Sequence, residues 1–177
     1  MAKFSLTPFN KESAPTITIA SEFNNTEECI YISYKVQGNL PALDLGTGTP
    51  KHARVIKLWE KSCFELFIKN DKNSYMEFNF SPDFEWNAFY FEKKGDALTE
   101  YAPMDKVEFD ILLSMDVFHL IVKIDKTKFP EGFFKGEMSA GITSVIKAKN
   151  GDLSYWALSH EDTRPNFHHL DSFKCKF

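Results

Sequence analysis

Cys63-Phe64-Glu65-Leu66-Phe67-Ile68-Lys69, a polar link Asn70-Asp71-Lys72-Asn73-Ser74, and Tyr75-Met76-Glu77-Phe78-Asn79-Phe80 form the stretch that decides the fold. Phe64, Leu66 and Ile68 alternate with Cys63, Glu65, Phe67 and Lys69, and Met76, Phe78 and Phe80 alternate with Tyr75, Glu77 and Asn79. A period of two is the signature of a β-strand, and the Asn/Asp/Ser link supplies turn chemistry, so the stretch reads as a hairpin. A shift of register by one residue would set Leu66 beside Glu77 and bury carboxylates. The allowed registers therefore collect Glu65, Phe67, Glu77 and Asn79 on one face, and leave Phe64, Leu66, Ile68, Met76, Phe78 and Phe80 as the core face.

The same alternation recurs on both sides. Ile30, Ile32, Tyr34 and Val36 share one parity, as do Val107, Phe109, Ile111 and Leu113, and again Phe118, Leu120, Val122 and Ile124. Shorter strand candidates are Thr16–Ala20, Trp86–Phe91, Ala140–Ile146 and Ser154–Leu158, with turns at Ser114-Met115-Asp116 and Asn150-Gly151-Asp152. No long helix is predicted; 126–135 has room for one short turn. Many strands joined by short links predict an all-β chain, a two-sheet antiparallel β-sandwich of jelly-roll type forming a single domain over residues 1–177. With 43% hydrophobic and 26% charged residues in 177, the composition suits a packed globule, and the 18 Phe lean toward strands.

Net charge is −4 and the basic residues are scattered, so neither a nucleic acid nor an anionic membrane surface is an expected partner. The start Met1-Ala2-Lys3-Phe4-Ser5 leads into no apolar leader. Cys29, Cys63 and Cys175 are odd in number and widely spaced. Together they predict a cytoplasmic protein with reduced thiols.

If Phe89 and Phe91 enter the core, Trp86, Ala88 and Tyr90 join Glu65 and Glu77 on the mixed face. Carboxylates and amides can hold vicinal hydroxyls in paired hydrogen bonds, and flat aromatic rings cover the apolar face of a sugar. The alternative is a solvated sheet face held by cross-strand pairs. Trp59, Trp86 and Trp156 are the candidate ring contacts, Glu65, Glu77 and Asn79 the candidate polar contacts, and His160 or His168 the candidate rim. Core packing is the competing role for each tryptophan.

Other chemistry has weaker support. His160, Asp162, His168 and His169 are metal-ligand types without a metal-site spacing, and neighbours such as His168 and His169 point apart in a strand. No nucleophile elbow is present, and a glycosidase-like use of Glu65 and Glu77 is a minority reading, so a non-enzyme is expected. Gly46-Thr47-Gly48 is a lone glycine pair in the long loop 38–51, not a phosphate cradle. No cofactor is predicted. Haem stays open, with Met76, Met115 and His119 as axial-ligand types, and so does calcium.

Arg54-x3-Leu58-Trp59-x3-Cys63-Phe64-Glu65-Leu66-Phe67 resembles a signature of bacterial DOMON-like proteins, which are similar to the family-nine carbohydrate-binding modules. The likeness continues through residues 75–82, 86–91, Ser154-Tyr155-Trp156-Ala157-Leu158-x-His160 and Pro165-Asn166-Phe167-His168-His169-x-Asp171-Ser172-Phe173. It departs at Glu92-Lys93-Lys94-Gly95, where relatives carry a Tyr-Arg pair. The resemblance implies a jelly-roll-like sandwich with a ligand site on or beside one sheet, where tryptophans clamp a sugar, or in broader relatives a haem. The expected function is binding of a carbohydrate or sugar-like metabolite; the alternatives are an interaction module without a small ligand and a haem carrier.

Overall fold

In a computed structural model, which describes residues 1–46 and 49–177, the chain is all-β with antiparallel strand pairing. Its strands are β1 (Ala2–Pro8), β2 (Ile17–Asn25), β3 (Cys29–Gly38), β4 (Cys63–Lys69), β5 (Tyr75–Phe80), β6 (Trp86–Phe91), β7 (Glu108–Leu113), β8 (Val117–Asp125), β9 (Ser139–Lys147), β10 (Leu153–Ala157) and β11 (Cys175–Lys176). Helix is confined to short 3₁₀ turns such as Leu58–Glu60 and Lys126–Lys128. No helix among the described residues is long and apolar enough to cross a membrane.

The strands follow the order β6-β5-β4-β9-β10-β1-β2-β3-β8-β7, with β11 added beside β9. Hydrogen bonding runs through β1 without a break. Ala2–Leu6 pair with β2, whereas Thr7 and Pro8 pair with Ala157 and Trp156 of β10. The sequence reading has two sheets; the structure has two arms of one sheet, curled so that the arms face each other. Between them Phe64 stacks on Phe118 with ring centroids 5.2 Å apart, and the Tyr34 hydroxyl donates to the Glu65 carbonyl at 2.6 Å.

In β3, β8 and the β4–β5 hairpin the parity read from the sequence is the parity of the core. Ile30, Ile32, Tyr34 and Val36, the β8 residues Phe118, Leu120, Val122 and Ile124, and the whole apolar set of the β4–β5 hairpin are buried in one cluster. The β4–β5 register is the expected one, with Glu65 opposite Asn79 and Phe67 opposite Glu77. Its turn is closed by Asn70, whose side chain accepts from the Lys72 and Ser74 amides and donates to the Ser74 hydroxyl. Two elements were not anticipated. Strand β1 opens the chain, and β11 lies against β9 near its end, drawing the C-terminal segment across the outer face of the β4–β5–β9 arm.

Candidate functional site

The outer face of that arm is the mixed face: Cys63, Glu65 and Phe67 of β4, Tyr75, Glu77 and Asn79 of β5, Thr143 and Val145 of β9. It is not solvated. The segment leading into and through Leu58–Glu60 packs Leu58, Trp59 and Val55 on one part of it, with Tyr155 and Phe167. The C-terminal segment packs Phe167, Leu170 and Phe173 on another, around Phe67, Tyr75, Phe89 and Phe91. Gly141 makes this cover possible. A Cβ there would lie 2.6 Å from the Phe173 ring, too close for any side chain to coexist with it.

The cover leaves an opening of about 270 Å³ lined by Trp59, Glu65, Glu77, Leu98, Val145, Tyr155, Pro165, Asn166, Phe167 and His168. Its walls are aromatic and its floor holds the two carboxyl groups. The volume falls just below the usual range for small-molecule pockets, which suits one ring-sized ligand.

The floor is almost fully buried, with Glu65 and Glu77 each 3% exposed. The Thr143 hydroxyl donates to Glu65 Oε2 at 3.3 Å, and the Asn79 amide donates to Glu77 Oε1 at 2.8 Å. Glu77 Oε2 has no hydrogen-bond partner among the described residues, and His168 Nε2 lies 3.6 Å from it. The other nitrogen of that ring, Nδ1, is 2.9 Å from the Tyr75 hydroxyl, which fixes the imidazole against the pocket wall.

Loss of water around these groups disfavours their charged forms. Burial pushes the Glu77 carboxyl up to about 7 against the smaller opposing pull of its Asn79 hydrogen bond. Burial, and then the neighbouring Glu77 charge, hold Glu65 well above the usual carboxylate range. Burial, reinforced by Lys94, lowers His168. The approach of His168 to Glu77 is therefore not a strong ion pair near neutral pH, because the ring is mostly neutral there. Cys63 lies beneath, its Sγ 3.7 Å from Asn79 Oδ1, and burial raises its thiol too.

The structure brings Trp59, Glu65, Glu77 and His168 together at the cavity. Asn79 shares their face but is 0% exposed; it orients Glu77 and cannot reach a ligand directly. Trp86 and Trp156 are corrections. Phe80 pairs with Trp86 and Glu77 with Phe89, so Asn87, Phe89 and Phe91 share the carboxyl face while Trp86, Ala88 and Tyr90 turn to the other side. Trp86 and Trp156 both join the central core. Trp86 is covered by the Arg54 guanidinium at 5.0 Å, and the Trp156 indole N–H donates to Ser154 at 3.0 Å. His160 is also elsewhere: its Nε2 sits 2.9 Å from the Thr7 carbonyl and its ring packs edge-on against Phe9.

Tyr155 and Phe167 were not singled out, though Tyr155 follows from the parity of β10, being one step from Trp156. Phe167 lies in an irregular segment with no period to read. Arg54 serves the fold, donating to Asn87 Oδ1 at 2.9 and 3.2 Å and to the Met104 carbonyl at 3.0 Å. Among the described residues no group of three or more His, Cys, Asp or Glu is arranged to hold a metal ion. The haem-ligand types do not converge: Met76 is in the core, Met115 is 87% exposed, and His119 is on the outer side of β8, opposite Lys35. Of the glycine pair, Thr47 and Gly48 lie outside the described residues.

The fold is shared with known all-β structures, and the neighbours can be named. A Bacteroides uniformis protein provisionally named as carbohydrate-binding superposes with a TM-score of 0.72 at 14% identity, covering 98% of this chain and 84% of that one. A family 9 carbohydrate-binding module from Caldicellulosiruptor kristjanssonii superposes with TM-scores of 0.50 in its glucose complex and 0.52 in its cellotriose complex, each at 10% identity and over 85% of this chain. Those complexes are covered to 71% and 70% of their length. At such identities the likeness is one of fold. No protein-family profile matches the sequence, and no curated protein matches it as a relative.

Proposed function

We propose that the chain is a non-catalytic binding domain for a carbohydrate or sugar-like metabolite, with the Trp59–Glu65–Glu77–His168 cavity as its site. The curled sheet is read here as the jelly-roll-like β-sandwich of the DOMON and family-nine module class, one domain over residues 1–177, working in the cytoplasm. The observation that carries the reading is the cavity itself: aromatic walls from Trp59, Tyr155 and Phe167 over a floor of two carboxyl groups, one with an oxygen that accepts no hydrogen bond among the described residues. A sugar ring would lie against the aromatic walls while a hydroxyl donates to Glu77 Oε2 and another meets Glu65. The fold neighbours support it, since the module from C. kristjanssonii carries glucose and cellotriose.

A thermal-shift panel of monosaccharides and short oligosaccharides tests the proposal. A bound sugar at 100 times its dissociation constant adds about 2.7 kcal/mol of stability. A response from wild type that disappears in Trp59→Ala supports the site; a flat response across the panel contradicts it and favours an interaction module.

A further inference from the structure

The cavity has the composition of a cation site without a cation. Among the described residues no lysine or arginine lines it. Glu77 is 97% removed from solvent, yet its Oε2 accepts no hydrogen bond from any of the described residues. Trp59, Tyr155 and Phe167 line the opening, and the π-systems of aromatic rings attract ammonium groups electrostatically. Elsewhere in the same molecule buried acids are given cations: Glu85 receives Lys51 and Lys61, each at 3.2 Å.

From this geometry, and resting on the sugar-binding reading above, we infer that the site selects a cationic ligand, an amino sugar whose ammonium group sits on Glu77 Oε2 against the aromatic walls. The ammonium would replace the missing donor and offset the burial of the carboxylate, forming a charge-assisted hydrogen bond inside a dry pocket. The hydroxyls of the same ring would meet Glu65 and the rim at Asn166. Every group facing Glu77 fits this assignment. Glu65 and Cys63 on β4 are acidic or neutral; Tyr75 and Asn79 on β5 are neutral; and His168, from the C-terminal segment, is pushed toward its neutral form. Lys94 acts on His168, and Asp96 acts on Tyr75, from the loop after β6; neither lines the opening.

Binding has a proton signature. Glu77 titrates at about 7 in the empty site, so near pH 6.5 a substantial fraction must lose its proton to receive an ammonium group. A neutral sugar makes no such demand.

The test is calorimetric titration of the full chain at pH 6.5 with glucose, glucosamine, N-acetylglucosamine and tetramethylammonium, in two buffers of different ionisation enthalpy. The expected result is glucosamine binding roughly tenfold or more tighter than glucose, with proton release seen, among the sugars, for glucosamine alone. Glu77→Gln is expected to erase that preference while leaving residual glucose binding, with its melting curve confirming the fold. Glucose or N-acetylglucosamine binding as well as glucosamine overturns the cation assignment and leaves the sugar reading standing. Tetramethylammonium binding without any sugar supports the cation and contradicts the sugar. No binding by any of the four contradicts both.

Discussion

Among the described residues two pairs of acidic residues are withdrawn from water, and they are treated in opposite ways. Asp83 and Glu85, 8% and 6% exposed, sit at the turn between β5 and β6. Lys51 Nζ lies 3.5 Å from Asp83 and 3.2 Å from Glu85, and Lys61 Nζ is 3.2 Å from Glu85; the Ser81 hydroxyl accepts from the Asp83 and Glu85 amides. Glu65 and Glu77, 3% exposed each, receive a threonine, an asparagine and a mostly neutral histidine. Burying a carboxylate without a cation is costly, and a sequence that needed only stability would place hydrocarbon there, as it does on the other face of the same hairpin. The first pair is built to hold a turn. The second is left incomplete at the base of an opening, where the proposed ligand would complete it.

The largest effect that separates the two pairs is the pH dependence of stability. Glu77, folded, titrates at about 7, above its unfolded value, so the native state holds more protons than the unfolded state between the usual carboxylate range and pH 7. Stability then falls as pH rises through that window and levels above it, by on the order of 3 kcal/mol for Glu77, with Glu65 acting in the same direction. Urea denaturation from pH 4.5 to 8 measures it. The fall should be blunted in Glu77→Gln and unchanged in Glu85→Gln.

That contrast was partly legible beforehand. The β4–β5 hairpin was, because each strand has one wholly apolar parity and only one family of registers keeps carboxylates out of the core. The parity of β6 was not. Trp86, Ala88 and Tyr90 are as apolar as Asn87, Phe89 and Phe91, so alternation could not choose, and the choice is made by the turn, where Phe84 takes a positive φ of 62° and the Ser81 amide bonds the Glu85 carbonyl. Trp156 was misplaced for a related reason: its neighbour Tyr155 is also aromatic, and only pairing with Ser144, on the core side of β9, tells them apart. Strand β1 alternates Phe4 and Leu6 with Lys3, Ser5 and Thr7, but its last pairs, Thr7 with Ala157 and Pro8 with Trp156, are with a strand near the far end of the chain. The cover that turns a sheet face into a cavity, Phe167 to Phe173, is held by close approach at Gly141, which carries no periodic signal.

Ligand affinity should divide along the same line. Trp59→Ala is expected to weaken sugar binding by roughly tenfold to a hundredfold, as removal of a central aromatic anchor does, whereas Lys51→Ala should leave affinity unchanged. Titration calorimetry on both variants reads the difference, and equal losses would break the comparison.

Smaller effects fall on stability at fixed pH. Glu85→Ala strips two lysines of their shared partner; because those lysines are about half exposed, the expected loss is about 1–2 kcal/mol at pH 7. Glu77→Gln keeps the shape, can keep a bond with Asn79 and removes a buried charge, so stability at pH 7 should change by less than about 1 kcal/mol or rise. Chemical denaturation of the two variants side by side gives the ranking, and a larger loss from Glu77→Gln would mark the floor as a structural network.

The most direct measurement is a crystal structure of the chain saturated with the tightest-binding sugar of the panel. The account predicts a single ring between Trp59 and the Tyr155–Phe167 wall, with a polar atom within hydrogen-bond distance of Glu77 Oε2. A saturated sugar seated elsewhere on the sheet, with the Glu65–Glu77 floor untouched, would contradict it.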